Sequence, residues 1–395
     1  VDGEGGSAPG IWTLEQASYY EGTGEWPKPV LPRVLYGWGN NAAGQIGDNT
    51  TINKSSPVQV GSTSDNYYIA AVGGTTTNTA THAIRNDNTL WAFGQNASGQ
   101  LGFNNLTPTS SPTQVGALSN WSSVSNGNIF STAVKTDGTL WAWGLNNLGQ
   151  LGNNDTGNPY IEVSSPIQIG ALSTWLTTSS GAYFTLALKT GGTLWSWGRN
   201  NNGQLGHNDV TYRSSPTQIG ALTTWAFIKG GFAHSFAVKT DGTLWAWGRT
   251  ELGCLGNNST SPSQVNSPIQ IGALTNWLKM SAGDATSQAI KTDGTLWTWG
   301  NNNEGSVGNN AAPASISSPI QIGSDFWNAV NSGRRTTAAI RSDGTLWAWG
   351  RSSSGEVPNE AAVEVSSPVQ IGSLTNWETL AGGSLATTLF GISKG

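Results

Sequence analysis

TDGTLWAWGLNNLGQLG, Thr136 to Gly152, is the stretch on which the reading of this chain turns, because it recurs. It returns as TGGTLWSWGRNNNGQLG from Thr190, TDGTLWAWGRTELGCLG from Thr240, TDGTLWTWGNNNEGSVG from Thr292 and SDGTLWAWGRSSSGEVP from Ser342. Two looser copies come first: LYGWGNNAAGQIG, Leu35 to Gly47, and NDNTLWAFGQNASGQLG, Asn86 to Gly102. A second motif follows each copy, SPxQ with Ile or Val and then Gly, its proline at Pro57, Pro112, Pro166, Pro216, Pro268, Pro319 and Pro368. Subtracting successive prolines gives a period of 49 to 55 residues, room for four strands of ordinary length and their turns. One repeat is therefore expected to form one four-stranded blade, and seven repeats a seven-bladed β-propeller.

The chemistry inside the repeat supports strands. Asp-Gly between two β-rich runs, as in AVKT-DG-TLWAWG, signals a hairpin and predicts a type I′ turn. In TLWAWG the side chains alternate, so Trp141 and Trp143 share one face while Leu140 and Ala142 share the other. Both faces are apolar, so the strand must be covered on both sides. The two glycines of GQLG tolerate positive φ and turn the chain, and the proline of SPxQ lacks a ladder donor and suits an edge strand. AGGSLATTLFGIS, Ala381 to Ser393, reads as the strand that precedes TDGTLWAWG, yet the chain stops there, while the copy at Leu35 lacks that strand. The terminal strands are expected to pair in one shared blade.

Composition agrees with an all-β, turn-rich protein: 53 glycines and only 10% charged residues. With a net charge of −5 and an acidic start, Val1-Asp2-Gly3-Glu4, no basic arm exists to bind a phosphate backbone, so nucleic acid is not an expected partner. Cys254 stands alone, which excludes an internal disulfide framework and any multi-thiolate zinc site. No apolar run approaches the roughly 18 residues that span a bilayer, and the opening residues lack a secretory-signal pattern. The sequence as it stands is expected to be soluble, without membrane insertion. Stability is assigned to the tryptophan pairs 141/143, 195/197, 245/247, 297/299 and 347/349 as core packing, each buried indole contributing about 4 to 6 kcal/mol of gross transfer energy.

At these residues the chain resembles the regulator of chromosome condensation repeat family, whose hallmark is DGxhxxWGxNxxGQLG about every fifty residues. The resemblance runs from residue 31 to the C-terminus and implies a seven-bladed propeller whose N- and C-terminal strands share the closing blade. It also implies nucleotide exchange on a small GTPase and chromatin binding, the founding member's activities. This chain departs from that pattern: it has no basic tail, and of the histidine repeated in many family members only His234, in KGGFAHSFAVKTDG, stands near the place.

Residues 1–30 are not a blade. Thr13 and Gln16 suggest a capping box for a short helix ending near Gly22. GIWTLEQASYYEGTGEWP resembles short segments of tail and fibre proteins of marine bacteriophages. Trp12, Tyr19, Tyr20 and Trp26 are more aromatic surface than a free tail leaves in water, and are read as anchors onto a partner.

Catalysis has little to stand on. His82, His207 and His234 lie in different repeats with no carboxylate at a set spacing, and are expected at the surface or at blade edges making hydrogen bonds. Cys254 replaces the glutamine of a turn motif, and Gly3 to Gly10 neither follows a strand nor opens a helix as a phosphate loop must. No cofactor and no metal is expected. Recognition is expected in the variable loops after GQLG, namely DNTTINK from Asp48, NNDTGNPYIEV from Asn153, HNDVTYR from His207 and NNSTSPSQVN from Asn257. Arg199, Arg249 and Arg351 share one position after Trp-Gly, so an anionic ligand on one face is a further candidate. The reading is a non-enzymatic virion protein of a bacteriophage: the arm docks on capsid or tail, and the propeller is exposed on the virion surface for decoration or adhesion to a host glycan or protein. The alternative is a secreted or cell-surface bacterial propeller binding glycan or protein, with a GTPase exchange factor ranked below both.

Overall fold

The computed structural model describes residues 32–75, 77–155, 162–311, 314–357 and 364–395. The chain divides into two units, Val1–Pro32 and Arg33–Gly395. The expected helix of the first thirty residues and the anchors Trp12, Tyr19, Tyr20 and Trp26 lie outside the described residues, as does Pro358.

The repeat quoted above belongs to a set of four antiparallel strands, Trp121–Asn126, Phe130–Lys135, Leu140–Leu145 and Glu162–Gln168, laid side by side in chain order. The same order recurs throughout the second unit. The described residues form five four-stranded sheets and one of seven strands. In the seven-stranded sheet, Ile316–Ser332 ends one set of four and begins the next, pairing first with Thr295–Gly300 and then with Thr336–Arg341. The cause is local. Ile322 and Trp327 are joined by GSDF where Ile169 and Trp175 are joined by GALST, and the link one residue shorter leaves no slack for a break in the strand.

Terminal pairing is as the sequence predicts. Arg33–Gly39 and Thr388–Lys394 are antiparallel neighbours from Arg33↔Lys394 to Gly39↔Thr388, flanked by Lys54–Gln59 and Trp377–Ala381. Six of the seven SPxQ strands take edge positions, and in Ile316–Ser332 the SPIQ half is paired on one side only, with Thr295–Gly300, so each proline leaves no ladder bond unmade.

The hairpin differs from expectation. Four residues, Thr136 to Thr139, separate the paired strands, and the turn is closed by Gly138 N–H donating to the Lys135 carbonyl at 2.9 Å. Only Gly138 takes positive φ, +77°, so this is the bulged form of hairpin turn and not the two-residue type I′. Asp137 braces the turn from its side chain, with Oδ1 accepting from Thr139 N at 3.0 Å and from Thr139 Oγ1 at 2.6 Å. Asn88 holds the same place as Gly138 in its own set at φ +60°, a conformation asparagine tolerates better than most side chains.

Alternation along TLWAWG is as read. Leu140 and Ala142 enter one core with Trp175 and Trp197, while Trp143 enters the preceding core with Leu101 and Val115. Seven such cores exist among the described residues, each built between two consecutive four-strand sets. One of them joins Ile340 and Leu346 of the last complete set to Trp38 and Leu389 of the terminal sheet. At the opposite edge from the prolines, the first strands of six sets line a common cavity of about 340 Å³.

The turn geometry predicts a contrast between two alanine substitutions. A Cβ on Gly138 would collide with the Ser173 carbonyl oxygen, whereas one on Gly170, also at positive φ, meets nothing within 4 Å. Gly170→Ala should cost about 1 kcal/mol from backbone strain alone, and Gly138→Ala about 3 kcal/mol or more, because main chain must also move. Urea midpoints of the two variants measure the difference; equal losses would contradict the register described.

Candidate functional site

Six of the seven sets carry a three-membered stack at the hairpin end of their strands. In the register of the first two strands Trp121 lies opposite Lys135, and Trp141 follows two residues after the turn. Lys135 Nζ therefore stands 3.5 Å from the centroid of the Trp141 ring and 4.9 Å from that of Trp121. The two indoles meet edge to face at 6.0 Å. Lys189 repeats the arrangement over Trp195 at 3.7 Å, Lys239 over Trp245 at 3.7 Å and Lys291 over Trp297 at 3.5 Å. Arg341 stands 3.6 Å over Trp347, and Arg85 3.6 Å over Trp91. Such contacts contribute about 0.5 to 1 kcal/mol each at a partly exposed site.

This corrects the assignment of both tryptophans of each pair to the core. Trp143, Trp197, Trp247, Trp299 and Trp349 are fully buried, but their partners Trp141, Trp195, Trp245, Trp297 and Trp347 are only partly covered. The edge strand ends beside them, and a lysine or arginine shares the exposed ring.

The partly covered indoles open into grooves between neighbouring sets. One groove of about 470 Å³ is lined by Asn104, Asn105, Gln114, Leu118, Trp141 and Pro166, among others. A second, about 510 Å³, uses the equivalent Asn257, Asn258, Gln270, Leu274, Trp297 and Pro319. A third, about 330 Å³, lies beside Asn309, Asn310, Gln321, Trp327 and Pro368, with Asp325 and Arg341 added. The leucine of the link is exposed in five sets, at Leu118, Leu172, Leu222, Leu274 and Leu374, each 44–50% accessible. The first-strand tryptophans Trp121, Trp175, Trp225, Trp277, Trp327 and Trp377 are at most 5% exposed, and their indole N–H groups have no acceptor among the described residues.

Of the four loops singled out in the sequence, the one from Asn257 begins at a described groove. The second residue of each of the four, an asparagine, takes positive φ and donates its N–H to the edge strand of the next set: Asn49 to Ser110 O at 2.8 Å, Asn154 to Ser214 O at 2.8 Å, Asn208 to Asn266 O at 2.7 Å, Asn258 to Ser317 O at 2.7 Å. Each loop base is thus pinned to the next set. In the sequence, the signals that mark this site are the recurrence of lysine before TDG and of leucine in IGAL.

Arg199, Arg249 and Arg351 stand at the equivalent end of their third strands. Arg199 Nε donates to Asn201 Oδ1 at 2.7 Å and Arg351 Nε to Ser353 Oγ at 2.7 Å. Arg249 pairs with Asp284 at 3.3 Å.

His207 is a partly exposed, hydrogen-bonded loop residue as expected, but His82 and His234 are not at the surface or at blade edges. His82 and His234 are fully buried on second strands, which are covered on both faces. His82 lies edge to face on Trp143 at 5.4 Å, and His234 takes the place that Phe130 and Phe184 hold in other sets. Burial drives the His82 pKa down to about 4 and that of His234 to about 3, so both are neutral rings in the core. His207 shares a hydrogen bond of 3.0 Å with Ser196 Oγ, and burial, aided by Arg213, lowers it to about 4. The Cys254 thiol is buried, donates to the Arg249 carbonyl at 2.9 Å, and is pushed up to about 12 by burial, far from a nucleophilic thiolate. Among the described residues no group of three or more His, Cys, Asp or Glu is placed to hold a metal ion, and no helix is long and apolar enough to cross a membrane.

The buried imidazoles predict an acid-sensitive fold. Above pH 6.5 both rings are neutral folded or unfolded and contribute no pH dependence; below it the unfolded chain takes up protons that the folded chain refuses until about 4 and about 3. Stability should fall by about 1.4 kcal/mol per pH unit per histidine once pH drops below 6.5. Urea midpoints at pH 7.5, 6.5 and 5.5 test this. The double variant His82→Leu, His234→Phe, using residues that sister sets carry, should remove their share of the slope and leave that of His207.

Comparison with known proteins agrees with this geometry. Residues 33–287 match the RCC1-like domain, and residues 277–306, 327–356 and 293–340 match the regulator of chromosome condensation (RCC1) repeat. The chain is 28% identical over 163 residues to the mitochondrial RCC1 domain-containing protein RUG3 of Arabidopsis thaliana, a match that spans 40% of this chain and only 37% of that relative. Human WBSCR16 superposes with a TM-score of 0.81 at 20% identity, covering 92% of this chain and 99% of the other. Yeast RCC1 (Prp20), solved bound to Kap60, also reaches 0.81 at 18% identity, covering 92% and 89%. With well over half its length matched and the repeat's two motifs in their structural places, the chain belongs to the RCC1-like domain family.

Proposed function

We propose that this chain is a closed seven-bladed β-propeller that serves as a non-enzymatic binding module on a bacteriophage particle, residues 1–30 docking on capsid or tail and the grooves between blades taking up a glycan of the host surface. Seven four-strand sets, seven inter-set cores and a terminal sheet shared by both ends of the described chain support the ring. The recurrent groove carries the binding reading. Two of the three described grooves combine a partly exposed indole, Trp141 or Trp297, with an exposed leucine and asparagine and glutamine amides. Apolar ring faces with a few uncharged hydrogen-bonding groups are the chemistry a sugar presents in return.

The buried, neutral histidines and the desolvated thiol favour binding over catalysis. The solved yeast relative Prp20p is described with binding properties to Gsp1p and histones. A net charge of −5 gives the present chain no general attraction for chromatin.

Location, binding and ring closure are tested separately. Antibody to the propeller should label purified particles in immunogold electron microscopy, and protein lacking residues 1–30 should no longer co-sediment with them. Label confined to cells or medium would replace the phage assignment with a secreted or cell-surface propeller. The propeller alone should bind host-surface glycans on an array, and Trp141→Ala with Trp297→Ala should weaken binding at least tenfold while the fold survives. Deleting residues 388–395 should cost more than about 5 kcal/mol, the upper range for one large core side chain, because the ring would open.

A further inference from the structure

The cavity enclosed by the first strands holds a feature that the grooves do not explain. Four residues after the aromatic that opens each first strand stand Ala71, Ser125, Ser179, Lys229, Ser281, Asn331 and Ala381, one from each set. They occupy equivalent register, as Ser125↔Thr132, Ser179↔Leu186, Lys229↔Phe236 and Ser281↔Gln288 show.

In three sets the serine here ties one set to the next. Ser125 Oγ accepts from Ser180 N at 2.8 Å, Ser179 Oγ from Gly230 N at 3.0 Å, and Ser281 Oγ from Ser332 N at 2.8 Å. Lys229 cannot accept a hydrogen bond through its side chain and forgoes this tie. It brings an ammonium to a cavity whose described lining holds no aspartate or glutamate. Among the described residues that ammonium has no hydrogen-bond or ion-pair partner. Enclosure by protein pulls its pKa below the usual lysine value, with no neighbouring charge to oppose the shift. A half-buried, unpaired cation facing a cavity is stabilised when an anion joins it.

Hydrogen-bond donors for that anion are at hand. Ser125 and Ser179 use their oxygens as acceptors and keep their hydroxyl protons to give. Asn331, at the same level, also lines the cavity, but its Oδ1 only accepts and is no donor to an anion. We propose that the central cavity is a binding site for a small oxyanion, a phosphate or a carboxylate, held by the Lys229 ammonium and the hydroxyls of Ser125 and Ser179. At about 340 Å³ the space suits a small molecule and excludes a polymer.

Isothermal titration with inorganic phosphate and, in parallel, with acetate tests the site and separates the two chemistries. The full chain should bind at least one of them saturably. Lys229→Ser, which restores the residue of three sister sets, should weaken that binding at least tenfold while raising the unfolding midpoint without ligand. Arg199→Gln with Arg351→Gln should leave it unchanged. Absence of binding by the parent chain, equal binding by Lys229→Ser, or loss in the arginine variant alone would overturn the proposal. The titration does not depend on particle association or glycan binding, so its failure and theirs are told apart.

Discussion

The structure depends on one joint, the indole N–H of the second tryptophan reaching the backbone of the preceding set. Trp143 Nε1 donates to Gln100 O at 2.9 Å, Trp197 to Gln150 O at 3.0 Å, Trp247 to Gln204 O at 2.8 Å and Trp349 to Ser306 O at 3.0 Å. The ring then lies on the last glycine of that same turn. A Cβ on Gly152 would stand 2.6 Å from Trp197 Nε1, so the glycine is required by close approach as well as by φ of +80°. The two halves of the repeat motif, Trp-Gly and Gly-Gln-Leu-Gly, are thus complementary surfaces of successive sets, and neither is intelligible within one set. Cys254 illustrates the point: its carbonyl still accepts from Trp299 Nε1 at 3.0 Å and from Ser287 Oγ at 2.9 Å, so the side chain is free to change.

With spacing between sets held by that joint, the outer strands cannot close over the first tryptophan of each pair. A cation covers part of it, and the remainder faces a groove whose floor is repeated while its rim is drawn from variable loops. A scaffold of this kind separates stability from recognition. The buried indole and the glycine carry the fold, and asparagine, leucine and loop residues can vary around the exposed one at little cost. The inner edge behaves differently. There serine ties one first strand to the next, and the single lysine among them exchanges a structural bond for a charge.

Much of this is legible in the sequence, and the failures are informative. The period, the edge position of six of the seven SPxQ strands and the pairing of the terminal strands follow from motif order and from proline's missing donor. The turn type does not, because Asp-Gly suggests two central residues, whereas the carboxylate caps Thr139 and only Gly138 turns the chain. Residue type puts the histidines at the surface, yet His234 simply stands where Phe184 does in its own set, a substitution visible only once the sets are aligned in space. Alternation puts both tryptophans of each pair on one face and so into the core, but it carries no information on how far the neighbouring sheet extends.

The sequence by itself determined the strands, their order and their repeat, since these rest on local alternation, turn chemistry and a period that any reader can count. Only the tertiary structure decided which tryptophan is exposed, that a lysine lies across it, and that Lys229 lines a shared cavity with two serines at its level. Burial and charge pairing are properties of the neighbour across the gap, and that neighbour lies about fifty residues away along the chain, brought close by packing and not by any local preference.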